Sequence, residues 1–126
     1  MIIVYDTETT GLLAPDVAPL DEQPRMMEFA CIRLDDKLKE VDRAETLINP
    51  GIPVTEEMTK HNGITQKDVE GEMSFAKFYP VLCKAFLGCH TLVAHNAPFD
   101  VGIIRWELVR LDKMTAFPWP PEHVCT

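Results

Sequence analysis

No apolar run in this 126-residue chain approaches the roughly 20 residues that a helix needs to cross a bilayer. The N-terminus lacks a basic region followed by a secretory apolar stretch, because Asp6 interrupts the opening run Ile2-Ile3-Val4-Tyr5 almost at once. A cytoplasmic protein with no membrane association is the expectation. The four cysteines, Cys31, Cys83, Cys89 and Cys125, form no C-x-x-C pair and no disulfide-dense pattern, so reduced thiols are expected. Cys83, Cys89, His90 and His95 could be assembled into a zinc site, but C-x5-C-H-x4-H matches no common finger spacing. Basic residues are in the minority: 12 Lys and Arg face 20 Asp and Glu, for a net charge of −8. That balance excludes a protein that grips nucleic acid through a broad basic surface. It leaves open an enzyme that holds a chain end through bound cations, which supply positive charge locally.

The chain that remains is ordinary in bulk, 46% apolar and 25% charged, and fits one soluble domain over residues 1–126, with no internal repeat or low-complexity tract. Its most informative feature is the passage from the apolar run into Asp6-Thr7-Glu8-Thr9-Thr10-Gly11-Leu12. Side chains on a strand alternate faces, so Asp6 and Glu8 project to one side and Thr7 to the other. Two carboxylates held together at the end of a buried strand repel each other unless a divalent cation lies between them. Hard oxygen donors suit magnesium or manganese.

Residues 2–6 read as a strand buried on both faces. Residues 13–25, with Pro15, Pro19 and Pro24 among acidic residues, read as a loop crossing the mouth of the site. Met26 to Leu34 and Val41 to Ile48 read as strands joined by the Asp35-Asp36-Lys37 turn, hence antiparallel neighbours. Thr55 to His61 predicts a short helix capped by Thr55 and ended by Asn62-Gly63. After Ser74, the residues Phe75, Phe78, Tyr79, Leu82 and Phe86 fall at helical spacing, and Pro80 predicts a kink or a helix start. Gly88 is a natural stop. Thr91 to Ala94 reads as a short buried strand and Phe99 to Leu111 as a helix with Val101, Ile104, Leu108 and Leu111 inward. Phe117 to Pro121 reads as an extended connector in which Trp119 packs onto the sheet, and Val124-Cys125 as the start of another strand. Alternating strand and helix in the second half favours parallel pairing there.

A second motif, His95-Asn96-Ala97-Pro98-Phe99-Asp100, follows the 91–94 strand and puts Asp100 where a strand hands over to a helix, a common place for a carboxylate to face a cleft. With this pair of motifs the chain resembles the proofreading-type (DnaQ-like) 3′→5′ exonucleases of the DEDD superfamily: 6–12 is similar to the first family motif, 95–100 to the second, and His61-Asn62-Gly63-Ile64-Thr65 to the segment lining the nucleotide pocket. The resemblance implies an α/β, ribonuclease H-like mixed sheet of about five strands with flanking helices. It implies two divalent cations, Mg²⁺ or Mn²⁺, held by Asp6, Glu8 and Asp100 as the catalytic acids. It also places Leu12 and Phe99 beside the terminal base, Thr9 near the terminal 3′-hydroxyl, and Asn62 where many relatives have a histidine. His95 is expected to orient the loop or line the pocket. The implied partner is the 3′ end of single-stranded DNA, or RNA, with a DNA polymerase as a further partner.

The family's third motif, a general-base histidine followed five residues later by a fourth carboxylate on a C-terminal helix, has no counterpart here. Neither His123 nor Glu122 stands in the right context. The expectation is a chain incomplete at its C-terminus, lacking the C-terminal helices and nearly inactive by itself. The alternative is a non-catalytic module of the same fold that docks a nucleic-acid end or a polymerase.

Overall fold

Alternation along three neighbouring strands decides which side of the sheet is covered. The computed structural model describes all 126 residues, as five strands and four helices: β1 (Ile2–Thr9), β2 (Met26–Leu34), β3 (Glu40–Leu47), α1 (Glu56–Asn62), α2 (Gln66–Val69), α3 (Phe75–Phe86), β4 (Thr91–Ala94), α4 (Ala97–Arg110) and β5 (Glu122–Cys125). The sheet order is β3-β2-β1-β4-β5, antiparallel between β3, β2 and β1 and parallel from β1 through β4 to β5. This is the mixed five-stranded sheet the family resemblance implies. No helix is long and apolar enough to cross a membrane.

Ile3 and Tyr5 of β1, Phe29 and Cys31 of β2, and Leu92 and Ala94 of β4 form the covered face. They share one core with Phe75, Phe78, Leu82 and Phe86 of α3 and with Ile103, Ile104 and Leu108 of α4. Tyr5 meets Phe86 edge-on at 5.3 Å and Phe29 meets Phe78 at 5.6 Å, so the sheet–helix contact is largely aromatic. The apolar residues on the other face, Val4, Ile32 and Val93, are only half-buried. The expectation that β1 is buried on both faces is therefore corrected: α3 and α4 contribute to one core on one side. α3 passes through Pro80 without ending or starting there, capped at Ser74, whose hydroxyl accepts from the Lys77 N–H. Trp119 packs on Phe117 (4.7 Å) and Phe86 (6.5 Å), at the edge of this core.

Two further differences bear on the site. None of residues 13–25 lines either cavity of the site; the loop runs along α4, from Leu13 against Gly102 to the far end of the helix. There the Arg110 guanidinium donates to the carbonyls of Leu20, Gln23 and Pro24, while the Gln23 side-chain amide bonds Ala14 and Pro15. α4 also starts two residues earlier than the sequence suggests, because Asn96 adopts the left-handed conformation (φ 58°) and turns the chain straight from β4 into the helix. Leu13 packs on α4 at Gly102, where a Cβ would lie 2.8 Å from its Cδ1.

Candidate active site

β1 outruns β4. It is paired to β4 only from Ile2 to Val4, but to β2 as far as Thr9, so one edge of β1 is free of a strand partner over the acidic motif. The N-terminal turn of α4 brings Asp100 to this stretch. Asp6 is exposed and Glu8 half-buried, on the thinly covered face of the sheet, whereas Thr7 faces the other way and is only 7% exposed. Asp100 is 2% exposed, and the Thr7 hydroxyl donates to its Oδ1 at 2.6 Å. Burial raises the Asp100 carboxyl from 3.8 to about 6; the Thr7 hydroxyl and backbone N–H oppose the rise, and the charges of Asp6 and Glu8 add to it. Glu8 is likewise pushed up, by burial and then by Asp6. Thus each of the three acids predicted from sequence lies within electrostatic reach of another.

They do not close on one point. No three carboxylate, imidazole or thiol groups form a preassembled metal cage: Asp6 and Glu8 share one face of β1, and Asp100 takes the Thr7 hydroxyl as its hydrogen-bond partner. The physical reason is local: with two like charges on β1, the best partner available to the third carboxyl is a hydroxyl donor. The donor chemistry still fits a hard divalent cation, since neither Asp6 nor Glu8 has a basic partner among the ion pairs of the chain.

The predicted substrate residues divide between two concavities. Glu8, Thr9, Leu12, Asn62 and Phe99 line one of about 490 Å³, together with Thr55, Glu57, Met58 and His61 of the α1 region. Leu12, 84% exposed, stands free at its rim. Asp6 and His95 instead line a cavity of about 640 Å³ on the thinly covered face, beside Val4, Ile32 and Val93. His95 stands in the turn just past β4 and lines this cavity, not the one that holds Phe99.

Two hydroxyl and amide groups expected to meet substrate already have partners. The Thr9 hydroxyl donates to the Gly11 carbonyl at 2.7 Å and accepts from the Gly11 N–H at 3.3 Å, closing its own turn. The Asn62 amide donates to the Thr9 carbonyl at 3.1 Å, and its oxygen accepts from the Ile64 N–H at 2.9 Å, so the side chain ties the end of α1 to the end of β1. Asn62→Ala is expected to destabilise the chain by about 1–3 kcal/mol, the usual consequence of leaving backbone groups unpaired, and urea denaturation reads this directly. A change within error would assign Asn62 to substrate alone.

Sequence reasoning missed Glu28, which pairs in register with Glu8 across the β1–β2 ladder. Its carboxyl is raised by burial, by Glu45 and by Glu8. Like charges directly opposite on a sheet are destabilising, so this row adds to the unbalanced negative charge beside Asp6 and Glu8. The ladder holds one register from Ile2 opposite Leu34 to Glu8 opposite Glu28, and the β-bulge comes only after Glu8.

Known proteins resemble this chain in sequence and in fold. A family model described as Exonuclease (RNase_T) matches residues 3–126. A DNA polymerase III PolC-type protein of Clostridium perfringens is 31% identical over 116 residues, covering 92% of this chain and 7% of that one, so the chain spans a small part of the curated relatives it matches. Among solved structures, Exonuclease X in complex with 5′ overhanging duplex DNA has a TM-score of 0.63 at 26% identity, over 82% of this chain and 53% of the other. E. coli Exonuclease I in complex with a dT13 oligonucleotide has a TM-score of 0.76 at 19% identity, over 98% and 27%, a likeness of fold. With its family match running from the first strand to the last and its acids on the open edge of β1, the chain belongs to the exonuclease family of DnaQ-like, ribonuclease H-like fold.

Proposed function

We propose that these residues form the nuclease portion of a metal-dependent 3′→5′ exonuclease that shortens single-stranded DNA, or RNA, from its 3′ end and releases nucleoside 5′-monophosphates. The observation that carries this reading is the pair Asp6 and Glu8 without basic partners, at the unpaired edge of β1, with Asp100 beside them and a cavity adjoining Glu8. Asp6, Glu8 and Asp100 would hold Mg²⁺ or Mn²⁺, which when bound lowers the pKa of an attacking water and stabilises the leaving oxygen. Leu12 and Phe99 line the cavity beside Glu8 and would flank a terminal base. Thr9 and Asn62 shape that cavity through their backbone and clamp bonds. The PolC-type relatives suggest a DNA polymerase as the working context, and with it the cytoplasm.

The family's general-base histidine and fourth carboxylate are not among these 126 residues, and loss of a general base alone costs about 10²–10⁴-fold in rate. The test is therefore a long incubation of the chain with a 5′-labelled single strand in Mn²⁺ or Mg²⁺. Slow shortening from the 3′ end, abolished by EDTA and reduced by more than about 100-fold in Asp6→Ala, is expected; outer-layer changes around metals cost 10–100-fold, and a direct ligand should cost more. A rate unchanged in Asp6→Ala would overturn the assignment and leave the docking module.

A further inference from the structure

Thr7 lies between the two acids of the first motif but on the opposite side of the strand, and its side chain is buried rather than solvated. Its only side-chain partner is Asp100, in an element far away in sequence, and the bond is short, at 2.6 Å. A β-branched side chain on a strand has little χ1 freedom, so the hydroxyl is a fixed donor. Tyr5, two residues earlier on the same face, places a second hydroxyl in this layer; that hydroxyl is buried without a hydrogen-bond partner, and the charge of Asp100 acts on it. Beyond Val4, β1 has lost its β4 partner, so the carboxyl group of Asp100 meets a strand edge that would otherwise be bare.

We infer that Thr7 is a positioning residue for the cation site: by donating to Asp100 Oδ1 at the open edge of β1, it fixes the rotamer of this carboxyl beside Asp6 and Glu8. The inference rests on the proposed function and goes a step further, since it assigns a role, exerted through Asp100, to the residue between the two acids. An aliphatic residue of the same shape fills the same buried space and suits the strand equally well. It cannot donate, and an Asp100 carboxyl without its donor is free to rotate. Ligand-orienting hydrogen bonds of this kind change metal affinity by about 10–100-fold when removed.

Mn²⁺ alone is the probe, added to the full 126-residue chain at neutral pH, with free Mn²⁺ counted by electron paramagnetic resonance and thermal unfolding recorded in EDTA. Four proteins are compared: wild type, Thr7→Val, Thr7→Ser and Asp6→Asn. Expected are Mn²⁺ binding by wild type, a loss of about 10–100-fold in Thr7→Val, which still unfolds cooperatively in EDTA, and recovery in Thr7→Ser, which restores the hydroxyl. Equal affinity of wild type and Thr7→Val, with Asp6→Asn impaired, overturns the role of Thr7 and leaves the cation site standing. Equal loss in Thr7→Val and Thr7→Ser overturns it too, because shape and not the hydroxyl would then matter. Absence of binding in wild type, or full binding in Asp6→Asn, removes the cation site and the role of Thr7 with it.

Discussion

Asp100→Asn is expected to make the fold more stable at neutral pH while removing the cation affinity that Asp100 supplies. The folded carboxyl titrates at about 6 instead of 3.8, so the native state holds its proton more tightly than the unfolded chain does. The stabilisation from that proton is complete below about pH 3.8 and is lost as pH rises through about 6. At 1.36 kcal/mol per pKa unit the difference reaches about 3 kcal/mol at pH 7, an upper figure for a single group. Asparagine is neutral throughout and keeps an oxygen to accept from Thr7. Urea denaturation across pH 4–7 should therefore show a wild-type stability falling by up to about 3 kcal/mol relative to the variant, with the two curves meeting at the acid end. Saturating Mn²⁺ should recover the loss in wild type only, since a cation favours the ionised carboxyl. Parallel curves for the two proteins would show that Asp100 ionises in the folded chain as freely as in the unfolded one.

That conflict between stability and ionisation could not be read from the sequence, although its members could. Asp6 and Glu8 stood out because they close an apolar strand on whose alternation they share a face, and Asp100 because it opens the helix after the next apolar strand. The bond from Thr7 to Asp100 needed the placement of α4 against the unpaired edge of β1, which depends on where β4 stops and not on any local pattern. His95 directly follows the end of β4, and in the structure it lines the cavity beside Val93 on the thinly covered face. The opening run Ile2–Tyr5 reads as buried all round, yet which face receives helices is a tertiary matter, and both long helices chose one side. The prolines of 13–25 identified a loop, while its course is set by Arg110, a residue with no local relation to it.

Arg110→Ala should produce the largest loss of stability of any single change considered. Asp100, Ile103, Ile104, Glu107 and Leu108 lie at helical spacing on the buried side of α4, so the helix carries two acids into the interior. Glu107 is 4% exposed; its Oε1 pairs with Arg110 Nη1 at 2.5 Å and its Oε2 accepts from the Met26 N–H at 3.2 Å. Arg110 in turn holds three carbonyls of the 13–25 loop, so one guanidinium neutralises the interior acid and pins the chain leading into β2. Removing it leaves a buried carboxylate without a counter-ion, a change that typically destabilises by about 3–5 kcal/mol. The loop should also come free, and a Glu/Asp-specific protease should cut at Asp16, Asp21 or Glu22 faster than in wild type, while the exposed Asp42 serves as the internal reference. Replacing both partners, Glu107→Leu with Arg110→Leu, should cost less than Arg110→Ala alone, because no charge is then stranded and the buried, unpartnered Nε of Arg110 disappears as well. Should the double variant instead lose the sum of the two single changes, the pair contributes through its separate contacts with the loop and β2, and charge burial is not what makes Arg110 indispensable.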